Sequence, residues 1–315
     1  MAENLDRTVL MNIISKKFDI PMRQVVLDRV STGKFNTTYF VKGYSEPLVL
    51  RVAPPDNAGF VFYEKKMMAQ EPQIHKLVLE NTSVPVPKIY LYDDSRELID
   101  RDYIIMQRLD GIALTNYRCT LPEYYRILEQ IGKYLCEIHD ITSKKYGYLG
   151  AHKPMEPADD WASAFNIMWN KMIDDIVNAG YYSAIEESMM RRKLYENYSH
   201  FDRPVVSRLL HMDVWNQNIL VNMDGKVTGL IDFDRALWGD IEIEFAVLDY
   251  CGISEAPFWR GYGMQRDLSD SAKIRRLFYL LYEIQKYIII RHYRDKDPNS
   301  AQSYKAEVLR MINSI

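Results

Sequence analysis

The chain has 315 residues, 47% of them hydrophobic and 26% charged, and 40 basic against 43 acidic side chains leave a net charge of -3. That length exceeds what one core usually fills, so two lobes are expected, and the near-balance of charge offers no clustered positive field for nucleic acid. Cys119, Cys136 and Cys251 are sparse and odd in number, which points to reduced thiols rather than a disulfide framework.

The first twenty residues hold no continuous apolar core of leader length. No later stretch approaches the roughly 20 apolar residues of a membrane span. The run from Tyr287 to Ile290 is bracketed by Lys286 and Arg291 and reads as a buried helix segment. A cytoplasmic protein with no membrane partner is therefore expected; its oligomeric state is not legible.

Strand character dominates the first hundred residues, at 25–31, 37–43, 47–52, 87–93 and 102–109, where β-branched and aromatic residues are punctuated by Gly and Pro. Thr32-Gly33-Lys34-Phe35-Asn36 reads as a hairpin turn joining the first two. A helix is predicted from Glu71 to Asn81, with Pro72 in its opening turn and Ile74, Leu77 and Val78 on one face. After Gly111 helical spacing takes over, at 121–141, 159–178, 182–198, 271–293 and 302–314, interrupted by one β insertion at 218–222 and 227–233. The expected fold is α+β: an N-terminal lobe over 1–107 built on an antiparallel sheet, and a mainly helical C-terminal lobe over 108–315.

The chemistry is concentrated in LLHMDVWNQNILVNMDGKVTGLIDFD, residues 209–234. Phosphoryl transfer needs a carboxylate to orient or deprotonate the attacking hydroxyl and hard oxygen ligands to hold Mg²⁺ on the phosphates. Asp213, with the carboxamide of Asn218 five residues on and Asp232 at the far end of a hairpin, supplies that set. An isolated H-x-D is common, but H-x-D-x-x-x-x-N followed by an apolar strand and I-D-F-D is far more specific.

These residues resemble the aminoglycoside phosphotransferase and choline kinase-like family, of protein-kinase-like fold. Its catalytic loop reads about H-G-D-x-x-x-x-N-[IL]-[LI], against H-M-D-V-W-N-Q-N-I-L here, and its metal loop about I-D-[WF]-[ED], against Ile231-Asp232-Phe233-Asp234. The resemblance implies an ATP- or GTP-dependent phosphotransferase acting on a small hydroxyl-bearing molecule, with Asp213 as base and Asn218 and Asp232 as Mg²⁺ ligands. His211 and Asp234 would support them. It also implies a phosphate-covering flap over Ser31 to Thr38, with Ser31 and Gly33 near the phosphates. Arg51 would be the phosphate-binding cation, paired with Glu71 or, since the register is open, with Glu64. Met106 would lie behind the adenine, with the backbone from Gln107 to Leu109 reading its edge. His139 reads as packing.

The acceptor is less legible. Asp240 and Glu244 either pair with backbone or Arg235, or form an acidic wall for a cationic acceptor such as an aminoglycoside or amino alcohol. Trp161, Trp169 and Trp259 either shape the acceptor pocket, where a sugar or quaternary ammonium would stack, or pack the core. Two other functions remain open: a nucleotide-binding scaffold without turnover, against which the retained triad argues, and a protein kinase, whose D-F-G requires Gly where this chain has Asp234.

Overall fold

The computed structural model describes residues 5–31, 35–57 and 59–315. Its first element is a helix the sequence pattern did not lead us to expect. In α1 (Arg7–Phe18), the Asp6 side chain accepts from the Thr8 N–H at 2.8 Å, and the chain leaves through Asp19 in the left-handed region, φ 52°. The carboxylate satisfies a donor that the first turn leaves open. Leu10, Ile13 and Ile14 form its buried face.

That face packs on a five-stranded antiparallel sheet, ordered β1-β2-β3-β5-β4, of β1 (Val26–Val30), β2 (Thr37–Lys42), β3 (Leu48–Val52), β4 (Ile89–Asp93) and β5 (Tyr103–Gln107). Alternation along each strand decides what reaches the cleft. On β3, Leu48, Leu50 and Val52 join the core under α1, so Arg51 projects from the opposite face. On β5, Tyr103 and Ile105 join that core, while Ile104 and Met106 pack with Met68 on the other side. α2 (Glu71–Asn81) crosses that second side. Pro72 stands in its opening turn, where its missing N–H leaves no bond unmade.

Beyond β5, two small antiparallel sheets are present where one β insertion was expected. One is ordered β10-β9-β6, from β6 (Ile112–Ala113), β9 (Ile219–Val221) and β10 (Val227–Leu230); the other is β11-β8-β7, from β7 (Thr142–Ser143), β8 (Ser207–Leu210) and β11 (Leu237–Gly239). The strands of the second sheet are only two to four residues long, too short to show a period in the sequence.

The helices are α3 (Leu121–His139), α4 (Trp161–Asn178), α5 (Ala184–Glu196), α6 (Ile241–Tyr250), α7 (Ala256–Tyr262), α8 (Asp270–Ile289) and α9 (Pro298–Ile312), with a π-helical turn at Ile290–Arg294 closing α8. α3 opens on a capping box in which Glu123 reaches back to the Thr120 N–H. Trp161 and Trp169 on α4 are wholly buried with Phe165, Phe278 and Tyr279, and their ring N–H groups donate to the Tyr279 hydroxyl and the Met190 C=O. Both are therefore core residues and do not present a stacking face to an acceptor. Among the described residues, no helix is long and apolar enough to cross a membrane.

Candidate active site

β8 delivers the chain into a loop, residues 211–218, that β9 takes up again. Within it Asp213 is held from two sides. Asn218 Nδ2 donates to Asp213 Oδ2 at 2.7 Å and to its backbone C=O at 2.9 Å, while Arg235 Nη1 donates to Oδ1 at 3.1 Å. The Asp213 side chain stays 26% exposed, so a fixed carboxylate faces the cleft. Arg235 is buried and continues to Glu283 on α8 at 2.9 Å, which also pairs with Lys286. Burial alone would lower the Arg235 pKa, but Glu283 and Asp213 outweigh it and keep the guanidinium charged.

His211 is fully buried. Its Nδ1 accepts the Asp213 N–H at 3.2 Å and its Nε2 donates to the Ile231 C=O at 3.1 Å. One ring nitrogen accepting and one donating is the pattern of a neutral imidazole. Burial drives the same way, pushing its pKa down against the pull of Glu244 and Asp213. His211 thus ties the loop to the strand leading into Asp232.

Met212 and Asp232 both lie at positive φ, 65° and 74°. A non-glycine residue there costs on the order of 1–3 kcal/mol and needs its surroundings to hold it. Met212 stands where the family pattern has Gly, and its N–H donates to Glu244 Oε1 at 2.7 Å.

The β9–β10 hairpin returns Asp232 to this loop, with the Ile231 N–H bonded to the Asn218 C=O at 3.0 Å. Arg51 reaches it from the sheet, with Nη2 2.6 Å from Asp232 Oδ1 and 3.3 Å from Asp234 Oδ2, and Nη1 2.7 Å from Glu71 Oε2. Burial would lower the Arg51 pKa, but Asp232, Glu71 and Asp234 more than reverse it. Burial pushes the Glu71 carboxyl up, yet Arg51 and His75 hold it below the usual range. Asp234 is pushed well above its usual value by burial and then by Asp232, against the pull of Arg51. Ligand oxygens of Glu71, Asp232 and Asp234 all lie within 4.8 Å of one another, close enough to share one cation. Glu64, the other candidate partner of Arg51, instead pairs with Arg294.

Of the flap, Ser31 is exposed; Gly33, with Thr32 and Lys34, lies outside the described residues. Asn36 at its far end is buried and donates to Asp234 Oδ2 at 3.4 Å. Met106 is buried on the cleft side of β5. The Gln107 N–H is taken by the Lys88 C=O, and the Arg108 N–H by the Pro47 C=O. The Leu109 side chain packs near Gly229 of β10, where an added Cβ would come within 2.9 Å of it.

The acidic-wall reading of Asp240 and Glu244 does not fit the geometry. Glu244 is completely buried; it takes His139 Nε2 and the His211 N–H at 2.9 Å each, and the Met212 N–H. Asp240 follows β11 at the end where Gly239 faces Arg208, the end of β8 away from Asp213. There it caps α6 and takes Arg203 at 2.6 Å and the Tyr279 hydroxyl at 3.0 Å. Arg235 pairs with neither, being committed to Asp213 and Glu283. His139 bonds Glu244 and the Tyr262 hydroxyl, a packing role.

Three residues of the site escaped sequence reasoning. Arg235, three positions past Asp232, carried a usable signal: a lone cation beside the I-D-F-D run. Gln70, whose Nε2 donates to the Asp234 C=O at 2.5 Å, and Glu283 carried none, because long-range contacts leave no spacing pattern.

A family model described as the phosphotransferase enzyme family matches residues 27–277. Among curated proteins, hygromycin-B 4-O-kinase of Escherichia coli is 32% identical over 175 residues, 53% of this chain and 48% of that enzyme. The chain thus aligns with about half of that relative's length. A protein of Vibrio vulnificus named as a probable ketoamine kinase is 24% identical over 269 residues, 81% of this chain and 83% of that protein. Among solved structures, a candidate fructosamine-3-kinase from Haemophilus somnus superposes with TM-score 0.68 at 18% identity, covering 97% of this chain and 96% of that one. A thermostable mutant of aminoglycoside phosphotransferase APH(4)-Ia, in ternary complex with AMP-PNP and hygromycin B, gives 0.65 at 18% identity, covering 96% and 98%. These likenesses show the fold: two-lobed and protein-kinase-like, with an antiparallel sheet and a mainly helical remainder.

Proposed function

This chain belongs to the phosphotransferase enzyme family, and from that premise we propose that it moves the γ-phosphate of ATP or GTP to a hydroxyl of a small molecule. Asp213 is the base in this reading. The observation that carries it is a partly exposed carboxylate fixed by Asn218 on one oxygen and Arg235 on the other. Such clamping sets a carboxylate at one orientation before an acceptor arrives, which is where general-base catalysis gains its efficiency.

Mg²⁺ fits the donor set, because the carboxylates beside Arg51 are hard oxygen ligands in one cluster. Asp232 would hold it, with Asn218, whose Nδ2 is turned to Asp213 and whose Oδ1 is thereby left for a cation. When bound, the ion neutralises phosphate charge. Arg51, oriented by Glu71, binds phosphate oxygens; Asp234 anchors Arg51 and Asn36, and His211 ties the 211–218 loop to Ile231 beside Asp232. Met106 backs the adenine and the Gln107–Leu109 segment reads its edge, with Ser31 and Gly33 belonging to the flap.

The acceptor class rests on the relatives alone, one named as a hygromycin-B 4-O-kinase and one as a probable ketoamine kinase. A panel of aminoglycosides, ketoamines, sugars and amino alcohols, read by nucleoside-diphosphate release with ATP and with GTP, tests the proposal. Mg²⁺-dependent release with at least one acceptor is expected. Nucleotide binding that is indifferent to Mg²⁺, with no release across the panel, contradicts it and leaves a scaffold.

A further inference from the structure

A cavity of about 310 Å³ opens in the helical part, at the end of the β8–β11 pair remote from Asp213. Arg208 and Gly239 face each other at that end, and Leu210 and Leu237 at the other. The strand alone therefore puts about 10 Å between the cavity and the 211–218 loop. The volume suits a small organic ligand.

Its floor is apolar, formed by Ile241 and Phe245, and Val206 and Leu268 stand exposed at its edge. The carboxylates in its wall are occupied from within the protein. Asp240 caps α6 and takes Arg203 and Tyr279; Glu242 grips Arg275 through both oxygens, at 2.7 and 2.8 Å; Asp267 accepts the Ser269 N–H. Of the cations, Arg266 is held through both terminal nitrogens by Asp249 and Lys273 pairs with Asp270, while the other three are less completely engaged. Arg203 Nε is buried without a partner among the described residues. Arg276 has an ion pair with Asp249 only at 4.0 Å, and Arg208 uses a single nitrogen for both the His139 C=O and Asp140.

We propose that this cavity is a second ligand site, taking a small organic anion with an apolar body. Its acidic head would lie on the arginine rim and its body on Phe245 and Ile241. Contacts lead from there to the catalytic loop. Phe245 packs on the His139 ring, Arg208 donates to the His139 C=O at 2.5 Å, and His139 bonds Glu244, which holds the His211 and Met212 N–H groups. A ligand that favours one setting of α6 thereby biases the loop that carries Asp213.

Titration of the full chain with 8-anilinonaphthalene-1-sulfonate, an aromatic anion, reads occupancy by fluorescence. One saturable site is expected, not competed by ATP with Mg²⁺, weakened about tenfold or more in Arg276→Glu and abolished in Val206→Trp, which fills the mouth. Both side chains reach solvent outside the catalytic machinery, so nucleotide affinity and Tm should match the parent and serve as folding controls. Dye binding that is absent, unchanged in both variants or competed without saturation by nucleotide overturns the site, since coupling between two separate sites saturates. The coupling half rests on the proposed phosphotransfer: dye bound at its site that leaves kcat and KM unaltered overturns the coupling and not the site.

Discussion

Arg235 Nη1 stands 3.1 Å from Asp213 Oδ1, while the same guanidinium reaches Glu283 at 2.9 Å, so the proposed base is tied to α8 through one buried cation. Arg235→Ala should lower kcat by about 10²-fold or more, since misplacement of a catalytic group by about 1 Å has that order of effect. It should also lower Tm, because Glu283 loses a buried partner. Nucleotide affinity should change little. A parallel loss of nucleotide affinity would show that Arg235 serves the phosphates instead.

Among the described residues, Arg51 is the cation that pairs with all three of Glu71, Asp232 and Asp234. Hydrogen bonds to charged groups contribute about 1.5–3 kcal/mol, so Arg51→Ala should weaken nucleotide binding by roughly 10- to 100-fold. Removing the guanidinium also leaves the carboxylates repelling one another. Mg²⁺ should then raise the Tm of the variant more than that of the parent, as thermal melts with and without the ion will show. Equal shifts would mean that these oxygens do not converge on a cation.

Much of this site is legible in the sequence, and the reason is local. Asp213, Asn218 and Asp232 sit in two loops joined by one hairpin, so their spacing survives in the chain. Arg51 and Glu71 are readable only through the family resemblance, which places a cation on the third strand and an acid at the start of the helix that follows. α1 leaves little trace in the sequence, although Asp6 is a good cap, because its buried face consists only of Leu10, Ile13 and Ile14. Glu244 and Asp240 were open to a substrate role because an acid beside a metal loop looks the same in sequence whether it faces an acceptor or a buried backbone. Only the pairing of Gly239 with Arg208 shows which end of β8 Asp240 occupies.

Asp175 on α4 accepts the Phe62 N–H at 2.6 Å, and burial raises its pKa to about 6, with Asp174 adding to the effect. A carboxyl whose folded pKa lies above its unfolded value disfavours folding once ionised. The cost is absent below about pH 4, develops between about pH 4 and 6 and is constant above. Asp175→Asn keeps an oxygen for Phe62 and removes the charge. It should raise stability at pH 7.5 by on the order of 1–3 kcal/mol and have little effect at pH 4. Denaturant melts at the two pH values decide this; the same difference at both would rule out ionisation as the cause.

Glu244 holds two loop N–H groups and His139 with no solvent access. Glu244→Ala should cost about 2–6 kcal/mol, because two buried loop N–H groups lose their acceptor at about 1–3 kcal/mol each. Where the protein still folds at reduced temperature, kcat should fall further than nucleotide affinity. A fully active, equally stable variant would contradict the role given to this carboxylate.

The central claim is that Asp213 acts as the base, and Asp213→Asn tests it with little change in shape. With an acceptor that turns over in the parent, the rate of nucleoside-diphosphate formation is measured alongside nucleotide affinity. A fall of roughly 10²- to 10⁴-fold with nucleotide affinity retained is predicted. Turnover equal to the parent's would contradict the account.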